Sequence, residues 1–146
     1  MKLQIASRLA IFAVLELAAQ PERQLSVAEI GEKFGVSNHH LAKVMHVLGR
    51  ANLVRSVRGA GGGYQFCGNE RRVTLLDIIQ LFEDLGAEDR DADSPGEMTD
   101  EGRALSRVLA EIDDIARATL SSITIATMRK LAERRRDAPR LVAVGQ

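Results

Sequence analysis

Ser26-Val27-Ala28-Glu29-Ile30-Gly31-Glu32-Lys33-Phe34-Gly35-Val36-Ser37-Asn38-His39-His40-Leu41-Ala42-Lys43-Val44-Met45-His46-Val47-Leu48 is the stretch on which the fold turns. Ser26 stands three residues before Glu29, so each side chain can satisfy a backbone N–H left open at a helix start. The helix begun there runs to about Phe34, where Gly35 supplies a tight bend. Ser37 then caps a further helix whose buried stripe is Leu41, Val44, Met45 and Leu48. Two helices joined by a short glycine-containing turn make a helix-turn-helix.

On the N-terminal side, Leu3, Ile5, Leu9, Phe12, Ala13, Leu15 and Leu17 fall largely at helical spacing until Pro21 ends the pattern. On the C-terminal side the period shortens: Leu53–Val57 and Tyr64–Phe66 read as two short strands. Between them lies Arg58-Gly59-Ala60-Gly61-Gly62-Gly63. A glycine-rich loop can also cradle a nucleotide phosphate, but this one lacks the Gly-Lys-Ser/Thr ending and is followed by a strand rather than a helix. It reads instead as the tip of a β-wing. Thr74–Leu85 reads as a fourth helix with Leu75, Ile78, Ile79, Phe82 and Leu85 inward and Asp77, Glu83 and Asp84 outward. Residues 1–85 thus form a winged helix-turn-helix domain.

Residues 86–102 are dominated by carboxylates, with Ser94, Pro95 and glycines and almost nothing apolar, so a flexible acidic loop is expected there. From Arg103 to about Arg134 a long helix is expected. Leu105, Val108, Ile112, Ile115, Thr119 and Ile123 recur every three or four residues along it, a stripe too long for the small domain to cover. The same helix of a second copy, related by a two-fold axis, is the simplest cover. Residues 135–146 are expected to be a disordered tail. The fold class is mainly α with a small β-wing.

The formal net charge is zero, but it is segregated. Residues 1–72 carry ten Lys/Arg against five Asp/Glu, residues 73–102 one against ten, and residues 103–146 nine against five. A basic first half suits a phosphate-binding surface, because neutralised phosphates release condensed counterions. The single cysteine, Cys67, excludes an internal disulfide and a cysteine-based zinc site, and it reads as a small buried residue rather than a reactive thiol. No apolar run approaches the length of a membrane span, so a cytoplasmic protein is expected. There is no nucleophile–base pair or cofactor loop in proper context, and an enzyme is not expected.

The chemistry is expected where a helix-turn-helix meets DNA, at the start of its second helix. Ser37, Asn38, His39, His40 and Lys43 occupy that place. Asn pairs bidentately with adenine, Ser and His can serve bases or phosphates, and Lys suits phosphate or guanine. Arg58 at the wing tip is placed to enter a minor groove. Gly59 and Gly61 let the backbone come close to the duplex, and Arg55 is a further phosphate candidate. His39 and His40 are neighbours that point apart on a helix, and the loop carboxylates Glu88, Asp89, Asp91, Asp93, Glu97, Asp100 and Glu101 fit no calcium loop; no metal site or cofactor is expected.

The run Asn38–Leu48, the wing segment Leu53–Tyr64 and Val73-Thr74-Leu75-Leu76-Asp77-Ile78-Ile79 together resemble the Rrf family of bacterial winged-helix transcription regulators, the IscR, NsrR and CymR type. The resemblance covers residues 1 to about 85. It implies a dimeric regulator on a palindromic operator, with residues 37–43 in the major groove and Arg58 in the minor groove. One branch of the family signals through a partner protein, so an unknown effector or partner is a second expectation. Iron–sulfur members hold their cluster with three cysteines in the loop before the long helix. Residues 86–102 have none, and Ser7 and Arg8 stand where the nitric-oxide-sensing branch has an acidic ligand. The resemblance therefore implies a member without the usual cluster.

Overall fold

The computed structural model describes residues 1–86 and 94–138. Its elements are α1 (Ile5–Ala19), α2 (Val27–Phe34), α3 (Asn38–Arg50), β1 (Val54–Val57), β2 (Gly63–Phe66), α4 (Leu75–Ile79), α5 (Asp100–Ser122) and α6 (Ile125–Asp137). The mainly helical chain with a two-stranded antiparallel wing is the fold read from the sequence.

α1 is the central element, packed against α2, α3, α4, α6 and β2. Leu9, Ala13, Val14 and Leu17 of α1 share one core with Ile30 of α2, the stripe Leu41, Val44, Met45 and Leu48 of α3, and Ile78, Ile79 and Ile125. Removing this apolar surface from water is the main term holding the winged unit together, at about 25 cal/mol per Å².

Local sequence sets the boundaries. Ser26 Oγ accepts from Glu29 N and Glu29 Oε2 accepts from Ser26 N, closing the expected capping box on α2. Gly35 at φ +66° makes the bend before α3. In the wing, Val54 lies opposite Phe66 and Val57 opposite Gly63. Leu25 adds a third line of pairing: its N–H donates to Tyr64 O at 3.0 Å and its carbonyl accepts from Tyr64 N at 2.7 Å. Gly63 permits that approach, because a Cβ there would lie 2.5 Å from Leu25 O.

Four expectations are corrected. The single helix over 103–134 is two. Ile123 and Thr124 take extended backbone, Leu75 N donates to Ile123 O, and Ile125 N donates to Val73 O, each at 2.9 Å, so the chain forms a short antiparallel bridge with the start of α4. Thr124 then caps α6 by accepting from Thr127 N. The fourth helix ends at Ile79 rather than Leu85, passing into tighter turns in which Leu81 N donates to Ile78 O and Phe82 N to Ile79 O. Glu83 does not face outward: its Oε2 accepts from Gln4 N at 2.9 Å and from the fully buried Ser7 Oγ at 2.5 Å, satisfying the start of α1. Cys67 is exposed rather than buried, with its Sγ against Asn52 O at 3.2 Å.

The acidic stretch expected over 86–102 is only partly described. Residues 94–99 form turns, Thr99 caps α5 by accepting from Gly102 N at 3.0 Å, and the helix starts at Asp100. Residues 87–93 lie outside the described residues. So do 139–146 of the expected tail, whose first residues, 135–137, are the end of α6.

Candidate nucleic-acid interface

α2 lies between the two parts of the site. Its N-terminal end, at Ser26 and Glu29, borders a polar cleft of about 580 Å³ whose other wall is Gly61 and Gly62 of the wing. Its C-terminal end leads through Gly35 to Ser37 and α3. The two ends of α3's connection are held tightly: Val36 N donates to Gly31 O at 2.9 Å, and a Cβ on Gly31 would lie 2.8 Å from Val36 O and 3.0 Å from Asn38 Oδ1.

At the start of α3, Ser37, Asn38 and His39 are exposed, His40 is half-buried and Lys43 is exposed. Ser37 Oγ accepts from His40 N at 3.3 Å, so this hydroxyl serves as the helix cap. The buried stripe of α3 fixes the opposite face outward, and that face carries His39, Ala42, Lys43, His46 and Arg50. His46 and Arg50 were not among the expected contacts. Their signal was present in the sequence: 39, 43, 46 and 50 repeat by four, three and four, the same helical period that 41, 44 and 48 keep by three and four on the inner side.

Arg58 is exposed at the base of the wing tip, and among the described residues it takes part in no ion pair. Gly59 and Gly61 beside it hold φ of +112° and +74°, which side chains with a Cβ adopt only under strain. Arg55 is engaged across the wing instead: its Nη2 and Nε donate to Gln65 Oε1 at 2.7 and 3.2 Å, while Gln65 Nε2 donates to Pro21 O at 2.7 Å. Arg55 thereby braces the wing against the turn before Leu25.

Near the cleft, Glu29 accepts from the backbone N–H of Ser26 and from Arg23 Nη2 at 2.7 Å. The Ser26 backbone hydrogen bond, aided by Arg23 and the Ser26 hydroxyl against a smaller opposing effect of desolvation, holds the Glu29 carboxyl below its ordinary pKa.

On the expected dimerisation stripe, Leu105, Val108, Ile112 and Ile115 are 59, 51, 55 and 66% exposed, and Leu109 joins them at 52%. Thr119 is also exposed, its Oγ1 donating back to Ile115 O. Ile123 departs from the stripe: it packs against the chain's own core where α5 gives way to the bridge with α4.

A two-helix reader braced on a three-helix core, followed by a β-wing, defines the class of winged-helix transcription regulators. The chain belongs to the Rrf2 family, described as iron-dependent transcriptional regulators, which it matches over residues 3–130. It is 50% identical to BadM of Rhodopseudomonas palustris, described as an HTH-type transcriptional regulator, over 93% of this chain and 86% of that one. Among solved structures it is similar to CymR, the global cysteine regulator of B. subtilis, with a TM-score of 0.75 and 26% identity over 90% of this chain and 98% of that one. IscR of T. potens gives 0.68 and 30%, over 92% and 90%. The family and the first of these relatives are described as transcriptional regulators. Among the described residues, no helix is long and apolar enough to cross a membrane.

The family description invokes iron, and the donors of this chain can be tested against that. Cys67, the only thiol, sits just beyond β2 with its Sγ against Asn52, and Ser7 is engaged by Glu83. Among the described residues no three His, Cys, Asp or Glu side chains are grouped to hold a metal ion. This donor set does not fit a cluster held by cysteines of one chain.

Proposed function

We propose that the chain is a sequence-specific DNA-binding regulator that works as a homodimer on a palindromic operator, acting by occupancy as a repressor in the cytoplasm. The observation that carries the reading is the outward face of α3, where His39, Lys43, His46 and Arg50 stand exposed over a well-packed inner stripe. Asn38 and His39 at the helix start suit base edges, while Lys43 and Arg50 suit phosphates. Arg58, carried by the two left-handed glycines of the wing, suits a narrow minor groove. Two copies joined along Leu105, Val108, Ile112 and Ile115 of α5 would present two such surfaces related by a two-fold axis. The regulator works without a cysteine-held iron–sulfur cluster, since its one thiol lies in the wing.

Fluorescence anisotropy on promoter fragments from the native genome, measured across a salt series, tests this. Specific binding is expected to fall steeply with salt. Arg58→Ala should weaken the specific complex by about 10-fold or more, the equivalent of about 1–3 kcal/mol, and Lys43→Ala should lower the salt slope by about one. Binding that shows no preference for any fragment, or that ignores Arg58→Ala, overturns the reading.

A further inference from the structure

At the other end of α2 from the wing, a cavity of about 260 Å³ opens between α1, α2 and α6. Phe12 and Phe34 stack as its wall, with ring centroids 5.1 Å apart and planes 13° from parallel. Ala19 of α1 and Ala132 of α6 line it as well, and their small side chains leave open the space a larger pair would fill.

The rim is charged. Lys33 and Glu16 neutralise each other at 2.5 Å. Arg129 is bound to Glu70 at 2.5 Å and lies 3.6 Å from Glu133. Arg136 also lines the cavity, yet among the described residues it takes part in no ion pair. The two carboxylates that line the cavity, Glu16 and Glu133, each have a cationic partner while Arg136 has no ion pair among the described residues, so the hollow is complementary to an apolar body with an anionic head. A cationic ligand would place its charge beside Arg136.

We infer that this cavity is a binding site for a small organic carboxylate, with its apolar part against Phe12, Phe34 and Ala132 and its head on Arg136. Because the cavity touches α2 of the DNA-reading unit, the inference rests on that reading for its biological meaning, as the place where a signal enters. The binding itself does not depend on DNA.

The test therefore uses the full chain alone, followed by two-dimensional NMR during titration with hexanoate, hexan-1-ol and hexylamine. Hexanoate should shift the methyl signals of Leu15, Ala19 and Ala132 saturably, with a dissociation constant of about millimolar, as expected for a ligand of this size. Arg136→Gln should weaken hexanoate about 10-fold while leaving hexan-1-ol unchanged. Ala132→Leu, which fills the cavity from an exposed helix position, should abolish binding of both. The inference is overturned by the absence of saturable shifts, by equal affinity for hexanoate and hexylamine, or by shifts confined to α5. Since operator binding is measured separately, a failed titration leaves the DNA-binding reading standing, and a failed operator assay leaves the site standing.

Discussion

α1 is apolar on nearly every side and α5 is amphipathic, and within the chain α1 buries eight of its residues and α5 buries none. The difference is one of available partners. α1 has α2, α3, α4, α6 and β2 around it, whereas α5 touches chiefly α4 near its own C-terminal end. An isolated helix is marginal in water, because its backbone bonds barely offset the entropy of ordering it. A 23-residue helix with five large apolar side chains exposed offers the face on which the proposed homodimer would close. The winged unit is completed by its own residues, whereas the apolar face of α5 is left open within the chain.

The strongest way to break that comparison is to place charge on the open face. Ile112→Glu together with Ile115→Glu should raise the dimer dissociation constant about a thousandfold, on the order of 4 kcal/mol, since a dimer would have to bury both carboxylates. Sedimentation velocity should show a monomer, and circular dichroism should show the loss of part of α5 with the winged unit still folded. A variant that remains a dimer would place the interface elsewhere.

A smaller effect separates the two ends of the C-terminal segment. Ile125 is fully buried at the joint between α5 and α6, whereas Leu131 on the same α6 is about half exposed. Ile125→Ala should cost about 3 kcal/mol in urea denaturation at fixed protein concentration, from lost burial and the cavity left behind. Leu131→Ala should change stability by no more than about 0.5 kcal/mol. Equal costs would mean that α6 is not anchored to the winged unit through its first turn.

The joint at Ile125 also marks where the sequence stopped being legible. The inner stripes of α1 and α3, the capping box at Ser26 and the wing glycines are local signals, and each could be read because its cause lies within a few residues. The division of the C-terminal helix could not, because Leu105 to Ile123 keeps a helical period right up to and into the break. What ends α5 is a pairing with Val73 and Leu75, some fifty residues away in sequence, that pulls Ile123 and Thr124 into extended form. The inward role of Glu83 is hidden from local sequence for the same reason: only the tertiary fold brings it to Ser7 and Gln4. His46 and Arg50, by contrast, follow from the register of α3 once its buried face is known. The cavity beside Arg136 was not readable at all, since it is made by three helices and by two alanines that carry no pattern.

The smallest effect lies wholly inside the self-sufficient region, where the α2 capping box can be removed without touching the core. Ser26→Ala deletes the acceptor for Glu29 N and should cost about 1 kcal/mol, independent of protein concentration if the winged unit folds by itself. The partner carboxyl adds a pH signature. Glu29 has a folded pKa below its ordinary value of 4.5, so the folded state favours its ionised form. Its contribution is complete above the unfolded value and is lost as pH falls through the folded one. The stability gap between wild type and Glu29→Gln should therefore stay constant from neutral pH down to about that value and narrow below it, as read from urea midpoints at each pH. A gap that instead widened on acidification would show that Glu29 ionisation opposes the capping box, and that the start of α2 is held by Ser26 alone.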